Sequence, residues 1–201
     1  MTGLLSRPFA PCKCFHAPTL DHLQIAREVE QLFTAIGWER YLVLDYPTFE
    51  ELCYEFYSTF DFTKNEFITL DEQRVIKFKL RGTPQDMSIN DFNLLLGFVS
   101  EDTISSGMYR NSACDYTRSF SSDYIDIWRE WSTDPQLYDL SQSKASYLKD
   151  PVLKVIHRFL AYNFSGRKDA SGNLAKAEFY FLWCMRNKIQ VNFRCWAATQ
   201  M

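Results

Sequence analysis

Apolar positions along the chain recur mostly at three- and four-residue steps, and in one stretch at two. Leu20, Leu23, Val29, Leu32, Phe33 and Ile36 share one face while Glu28, Glu30 and Gln31 take the other. That spacing predicts a helix capped by Thr19 and stopped at Gly37. Trp38 then packs back, and Tyr41–Leu44 reads as a short extended piece. A second helix opens at Pro47-Thr48, with Thr48 and Glu51 at capping-box spacing and Phe49, Leu52, Cys53, Phe56 and Phe60 as its stripe. Ser88 caps a third, through Ile89, Phe92, Leu95 and Leu96 to Gly97. Tyr124, Ile127, Trp128 and Trp131 set a fourth, broken by Asp134-Pro135. Pro151 opens a fifth, with Val152, Val155, Ile156, Phe159 and Leu160. The last, Leu174 to Arg186, is apolar on nearly every side from Phe179 to Met185 and belongs at the centre of the core.

Between the second and third helices the period falls to two. Phe67 and Ile68 precede a Leu70-Asp71-Glu72-Gln73 turn, and Ile76, Phe78 and Leu80 alternate with Lys77 and Lys79. This predicts a β-hairpin of residues 66–70 with 75–80, ended by Gly82. Residues 1–18, with Pro8, Pro11 and Pro18 and no period, form an irregular lead-in. Residues 99–121, rich in Ser, Thr and Asp, form a long loop. The expected fold is mainly α with a small β-hairpin (α+β), a single compact helical domain over residues 19–201. At this length one core buries roughly 70% of the unfolded chain's surface, so a single domain suffices.

Composition alters this picture only when charge is placed along the chain. The net charge of −3 excludes a uniformly basic nucleic-acid coat. Yet residues 141–201 hold ten basic side chains against Asp150, Asp169 and Glu178, a net +7, which leaves −10 for residues 1–140. Lys154, Arg158, Arg167, Lys168, Lys176, Arg186, Lys188 and Arg194 are therefore the candidate nucleic-acid contacts. Tyr147, Tyr162, Phe164, Tyr180 and Trp196 are interleaved with them as stacking surfaces for single-stranded RNA. The plainer account, aromatics in the core and cations on a solvated face, carries more weight because most of those aromatics fall on apolar stripes. The same asymmetry offers a basic surface of one copy to an acidic surface of the next, a head-to-tail contact that need not close.

Other chemistry finds little support. The N-terminus lacks a basic segment followed by an apolar run, and Phe179–Met185 falls far short of the ~20 apolar residues that span a bilayer. The expectation is an intracellular chain, not secreted and without membrane contact, its six cysteines reduced. Cys12-Lys13-Cys14-Phe15-His16, with His22 beyond, has a one-residue gap that strains tetrahedral zinc ligation, so no metal is expected. Cys184 and His157 lie on two core helices, but Cys184 sits within Phe-Leu-Trp-Cys-Met and lacks the exposed, electropositive setting of a nucleophile. His157, beside Arg158, reads as a helix-face residue with a local hydrogen bond. Ser165-Gly166-Arg167-Lys168 suits a phosphate or an exposed turn equally, and Asp123, Asp126 and Glu130 suit a solvated helix face. No phosphate-binding or dinucleotide loop occurs. No catalytic residue, cofactor or small-molecule substrate is expected.

Six strings in order carry a resemblance. They are LSRPFAPCKCF (5–15), IGW (36–38), YPTFEELCYEFYSTFDF (46–62), FKLRGTPQDMSINDFNLLLGF (78–98), DPVLKVIHRFLAYNFSGRKDASGN (150–173) and AEFYFLWCMRN (177–187). Together they resemble the protein of the first open reading frame of Athila-type plant LTR retrotransposons, and the related plant transposon protein domain. The resemblance implies a non-enzymatic, Gag-like structural protein that self-associates, with weak RNA or DNA contact through its basic C-terminal third. A domesticated plant protein-interaction domain without a nucleic-acid role is the alternative. The family's pattern runs on past the FLWCM helix, so this copy reads as C-terminally truncated. No Gag-type zinc knuckle spacing is present.

Overall fold

The helices follow from the apolar stripes and from the residues that bound them. The computed structural model describes residues 13–43, 47–62, 75–97, 100–105, 124–136, 139, 143–165, 167 and 172–189. Along them run α1 (Ala17–His22), α2 (Ala26–Ala35), a 3₁₀ turn (Glu39–Leu42), α3 (Glu50–Thr59), β1 (Asp61–Phe62), β2 (Val75–Leu80) and β3 (Thr83–Ser88). Then come α4 (Ile89–Leu96), α5 (Glu101–Ser105), α6 (Tyr124–Trp131), a second 3₁₀ turn (Ala145–Tyr147), α7 (Pro151–Asn163) and α8 (Lys176–Asn187). The fold is mainly helical with one small antiparallel sheet, as the periodicity predicts. The described residues gather into two units. A helical unit holds residues 13–43 and the described part of 124–189; a hairpin unit holds those between 47 and 105.

In the helical unit α7 and α8 pack on each other and on α2. Pro151 presets the first helical φ of α7, and the Asp150 side chain accepts a 2.8 Å bond from the Val152 N–H, so this helix starts where the sequence places it. Val152, Leu153, Ile156 and Leu160 of α7 and Phe179, Phe181, Leu182 and Met185 of α8 are all essentially buried. Each such side chain contributes roughly 1.5–3 kcal/mol by leaving water. The end of α2 is a Schellman turn. Gly37 takes φ 76°, its N–H donates to Thr34 O, and the Trp38 N–H donates to Phe33 O. That turn sends Trp38 into the core, stacked on Phe164 at 5.2 Å and beside Phe181 at 5.4 Å.

Several local readings are corrected. The helix expected over residues 20–36 is two: α1 opens at Ala17-Pro18 and closes where Gln24 turns left-handed, with φ 57°. Thr19 therefore lies inside α1 and Leu23 leaves the stripe for solvent. Residues 13–16 of the lead-in are docked. The Asn163 side-chain amide donates to Lys13 O and accepts from the Lys13 N–H, both at 2.8 Å, and Phe15 stacks on Phe159 at 4.6 Å. Of the piece expected to be extended over residues 41–44, Tyr41 and Leu42 belong instead to the 3₁₀ turn Glu39–Leu42, and Leu44 lies outside the described residues. Phe49 is the N-cap residue of α3, so Thr48 and Glu51 make no capping box. Part of the expected loop 99–121 is helical, as α5; its residues 106–121 lie outside the described ones.

The sheet has the order β1-β2-β3, antiparallel throughout. Gly82 does not end it. Arg81 (φ 54°) and Gly82 (φ 74°) form the two-residue turn between β2 and β3, the type I′ pattern whose twist matches a hairpin. The strand pairing β2 along its whole length is Thr83–Ser88, which carries no strand pattern and includes Pro84. Proline is tolerated there because β3 is an edge. The expected partner, residues 66–70, lies outside the described residues. Ile76 and Phe78 are buried on one face against Phe56 and Phe60, Met87 and Phe92 of α4.

Candidate functional site

The densest polar chemistry lies between α7 and α8. Glu178, in the first turn of α8, is 1% exposed, and His157, facing it from α7, is fully buried. His157 Nε2 and Glu178 Oε2 are 2.9 Å apart. Arg167 donates from Nε to Glu178 Oε1 at 3.1 Å and pairs through a terminal nitrogen with Oε2, while also donating to Asn173 O at 2.8 Å. The Ala175 N–H donates to the same carboxylate at 3.1 Å. Burial alone would raise the Glu178 pKa. Hydrogen bonds from His157 and Ser165, with the fields of His157 and Arg167, outweigh it and hold the carboxyl below its ordinary range. His157 is thus a buried cross-helix partner rather than a helix-face residue with a local bond. One carboxylate ties Arg167 and Ala175 to both helices, with Glu178 and His157 buried and Arg167 a third exposed.

A groove of about 490 Å³ opens elsewhere in this unit, between α6, the start of α7 and the end of α8. Ile127, Trp131, Leu153 and Trp183 form its apolar walls, and Glu130, Lys149, Asp150 and Arg186 its rim. Arg186 pairs with Asp150 and, at 3.2 Å, with Glu28 of α2; the Lys149 ammonium donates to Glu130 O at 2.6 Å.

The candidate nucleic-acid residues are dispersed among different duties. Arg167 belongs to the buried cluster and Arg186 to the Glu28–Asp150 network. The Lys176 ammonium lies 5.6 Å from the Tyr124 ring centre, a cation–π contact. Arg158 and Lys188 are exposed and Lys154 half-buried, without an ion pair among the described residues. Lys168 and Arg194 lie outside the described residues, as does Trp196. Of the aromatics, Tyr180 is core, Phe164 stacks on Trp38, and Tyr162 holds the Lys13 ammonium at 3.9 Å.

Cys184 is buried, as its apolar neighbours imply, and burial pushes its thiol up to about 12 despite an opposing hydrogen bond with Tyr180. His16 bonds Thr19 Oγ1 at 2.8 Å, while Cys12 lies outside the described residues. Among the described residues no three His, Cys, Asp or Glu side chains gather as a metal site, and no helix is long and apolar enough to cross a membrane. Sequence reasoning missed Glu178, Trp131 and Trp183 as a clamp and groove walls. The available signal was Glu178 itself, a carboxylate opening an almost wholly apolar helix, which burial obliges to find partners.

The profile of the ATHILA ORF-1 family matches residues 4–183. This places the chain among the Gag-like proteins of plant retrotransposons, as the six strings imply. The chain belongs to the ATHILA ORF-1 family. No curated protein and no solved structure matches it.

Proposed function

We propose that this retrotransposon protein is a non-enzymatic, intracellular structural component that self-associates. The observation behind this reading is the poor coverage of the hairpin unit. Among its described residues Ile76 and Phe78 are buried, whereas Phe49 is 62% and Leu95 66% exposed, with Tyr57, Val75, Leu80 and Leu96 also facing solvent. Among those described residues more large apolar side chains face solvent than are buried, and such a surface gains from a macromolecular partner. A domesticated interaction domain would use the same surface. Sedimentation velocity across a concentration series tests the reading. Mass rising above one protomer of 23.7 kDa is expected; a monomer throughout sinks it.

Weak RNA contact is a second reading, supported by the solvent-facing cations Arg158 and Lys188, which make no ion pair among the described residues, with Lys154 nearby on α7. Substituting these three by Gln should lower RNA affinity and flatten its salt dependence by up to about three phosphate contacts. Salt-independent binding, or an unchanged slope, counts against it. Arg167 makes a poor probe, because its loss opens the buried cluster whether or not RNA binds.

A further inference from the structure

Resting on self-association, we infer that the exposed Leu95–Leu96 end of α4 in one copy docks into the Trp131–Trp183 groove of a second copy. Phe92 anchors α4 on the sheet core, but Leu95 and Leu96, one turn further on the same stripe, are 66% and 38% exposed. Glu101 and Asp102, exposed at the start of α5, follow closely in the chain. The result is an apolar end with two carboxylates beside it in sequence.

Charge selects the occupant. Among described residues the hairpin unit has eight acidic and three basic side chains, a net −5, so two such surfaces repel. The described residues of the helical unit include ten acidic and twelve basic, a net +2. That unit also holds the apolar-walled groove, where Arg186 takes up Asp150, Lys149 stands on the rim beside Glu130, and Lys188 lies one residue beyond Asn187 in the lining. The leucines cover Trp131 and Trp183, and Glu101 and Asp102 meet the two lysines. Two different surfaces joined this way make a heterologous contact, so each added copy offers a further leucine end and a further groove.

A mixing experiment on the full chain tests this by sedimentation velocity. Leu95→Ser/Leu96→Ser removes the docking end and Trp183→Ser the groove wall. Each variant alone is expected to stay at one-protomer mass, and an equimolar mixture to form a two-protomer species that grows no further. Continued association of either variant alone, or a mixture that stays monomeric, overturns the docking while leaving self-association intact. A monomeric wild type overturns both. Should Trp183→Ser unfold by circular dichroism, the exposed Lys149→Glu takes its place. It should weaken association about tenfold, with recovery when mixed with Glu101→Lys/Asp102→Lys; unchanged association by Lys149→Glu, or no recovery, rejects the docking.

Discussion

At Glu178 the fold sets a buried carboxylate against partners 11 and 21 residues away in sequence, Arg167 and His157. Glu178→Gln leaves Arg167 without its counter-charge, and stability should fall by about 3 kcal/mol, read from urea unfolding. The pH dependence has a definite sign. The folded pKa of Glu178 is lowered, so its stabilisation is complete above the unfolded carboxylate pKa and disappears as pH falls through the folded value. The stability gap between wild type and Glu178→Gln should therefore be constant near neutrality and narrow in acid; a gap independent of pH would show that the charge is not what matters. None of this is legible locally. A carboxylate at residue 178 is one of 25 acidic residues until folding brings Arg167 and α7 to it. Asp150, by contrast, is readable, because its partner is the Val152 N–H two residues on.

Elements divide along the same line. α7 and α8 are legible because their apolar runs are long, and α7 also because Asp150-Pro151 supplies local start chemistry. The residues of β3, Thr-Pro-Gln-Asp-Met-Ser, contain no alternation, and their pairing is imposed by the preceding turn and by α3. Glu55 of α3 accepts the N–H groups of Arg81 and Gly82, each at 2.6 Å, and Thr59 Oγ1 accepts the Lys79 N–H at 2.8 Å. The helix thus holds the turn and occupies a donor of β2. Glu55→Ala should destabilise the hairpin unit by about 1.5 kcal/mol through two lost charge-assisted bonds. Arg81→Asn should stabilise it by about 0.5 kcal/mol, since Asn tolerates the left-handed φ that Arg81 holds at 54°. Hydrogen exchange of the β2 amides reads both changes. Equal protection in the two variants would mean that the turn does not limit opening.

For the whole molecule, the linear dipole of −10 and +7 does not survive folding as two halves. The helical unit combines residues 13–43 with 124–189, so Asp21, Glu28, Glu30 and Glu39 come to share a unit with the basic third. Arg186, counted by sequence as a free cation, is there neutralised by Glu28 and Asp150. What remains among the described residues is a hairpin unit at −5 and a helical unit at +2, too small a contrast to carry assembly by charge alone. The exposed leucines and the tryptophan walls supply the rest, and the two contributions respond oppositely to salt. Raising salt from about 0.1 M to 1 M shortens the Debye length from ~10 Å to ~3 Å and screens the electrostatic share, while sulfate salts strengthen apolar burial. Self-association should therefore weaken only modestly in sodium chloride and recover in sodium sulfate of equal ionic strength, as followed by sedimentation. Complete dispersal in both salts would show that charge, and not the apolar surface, holds the copies together.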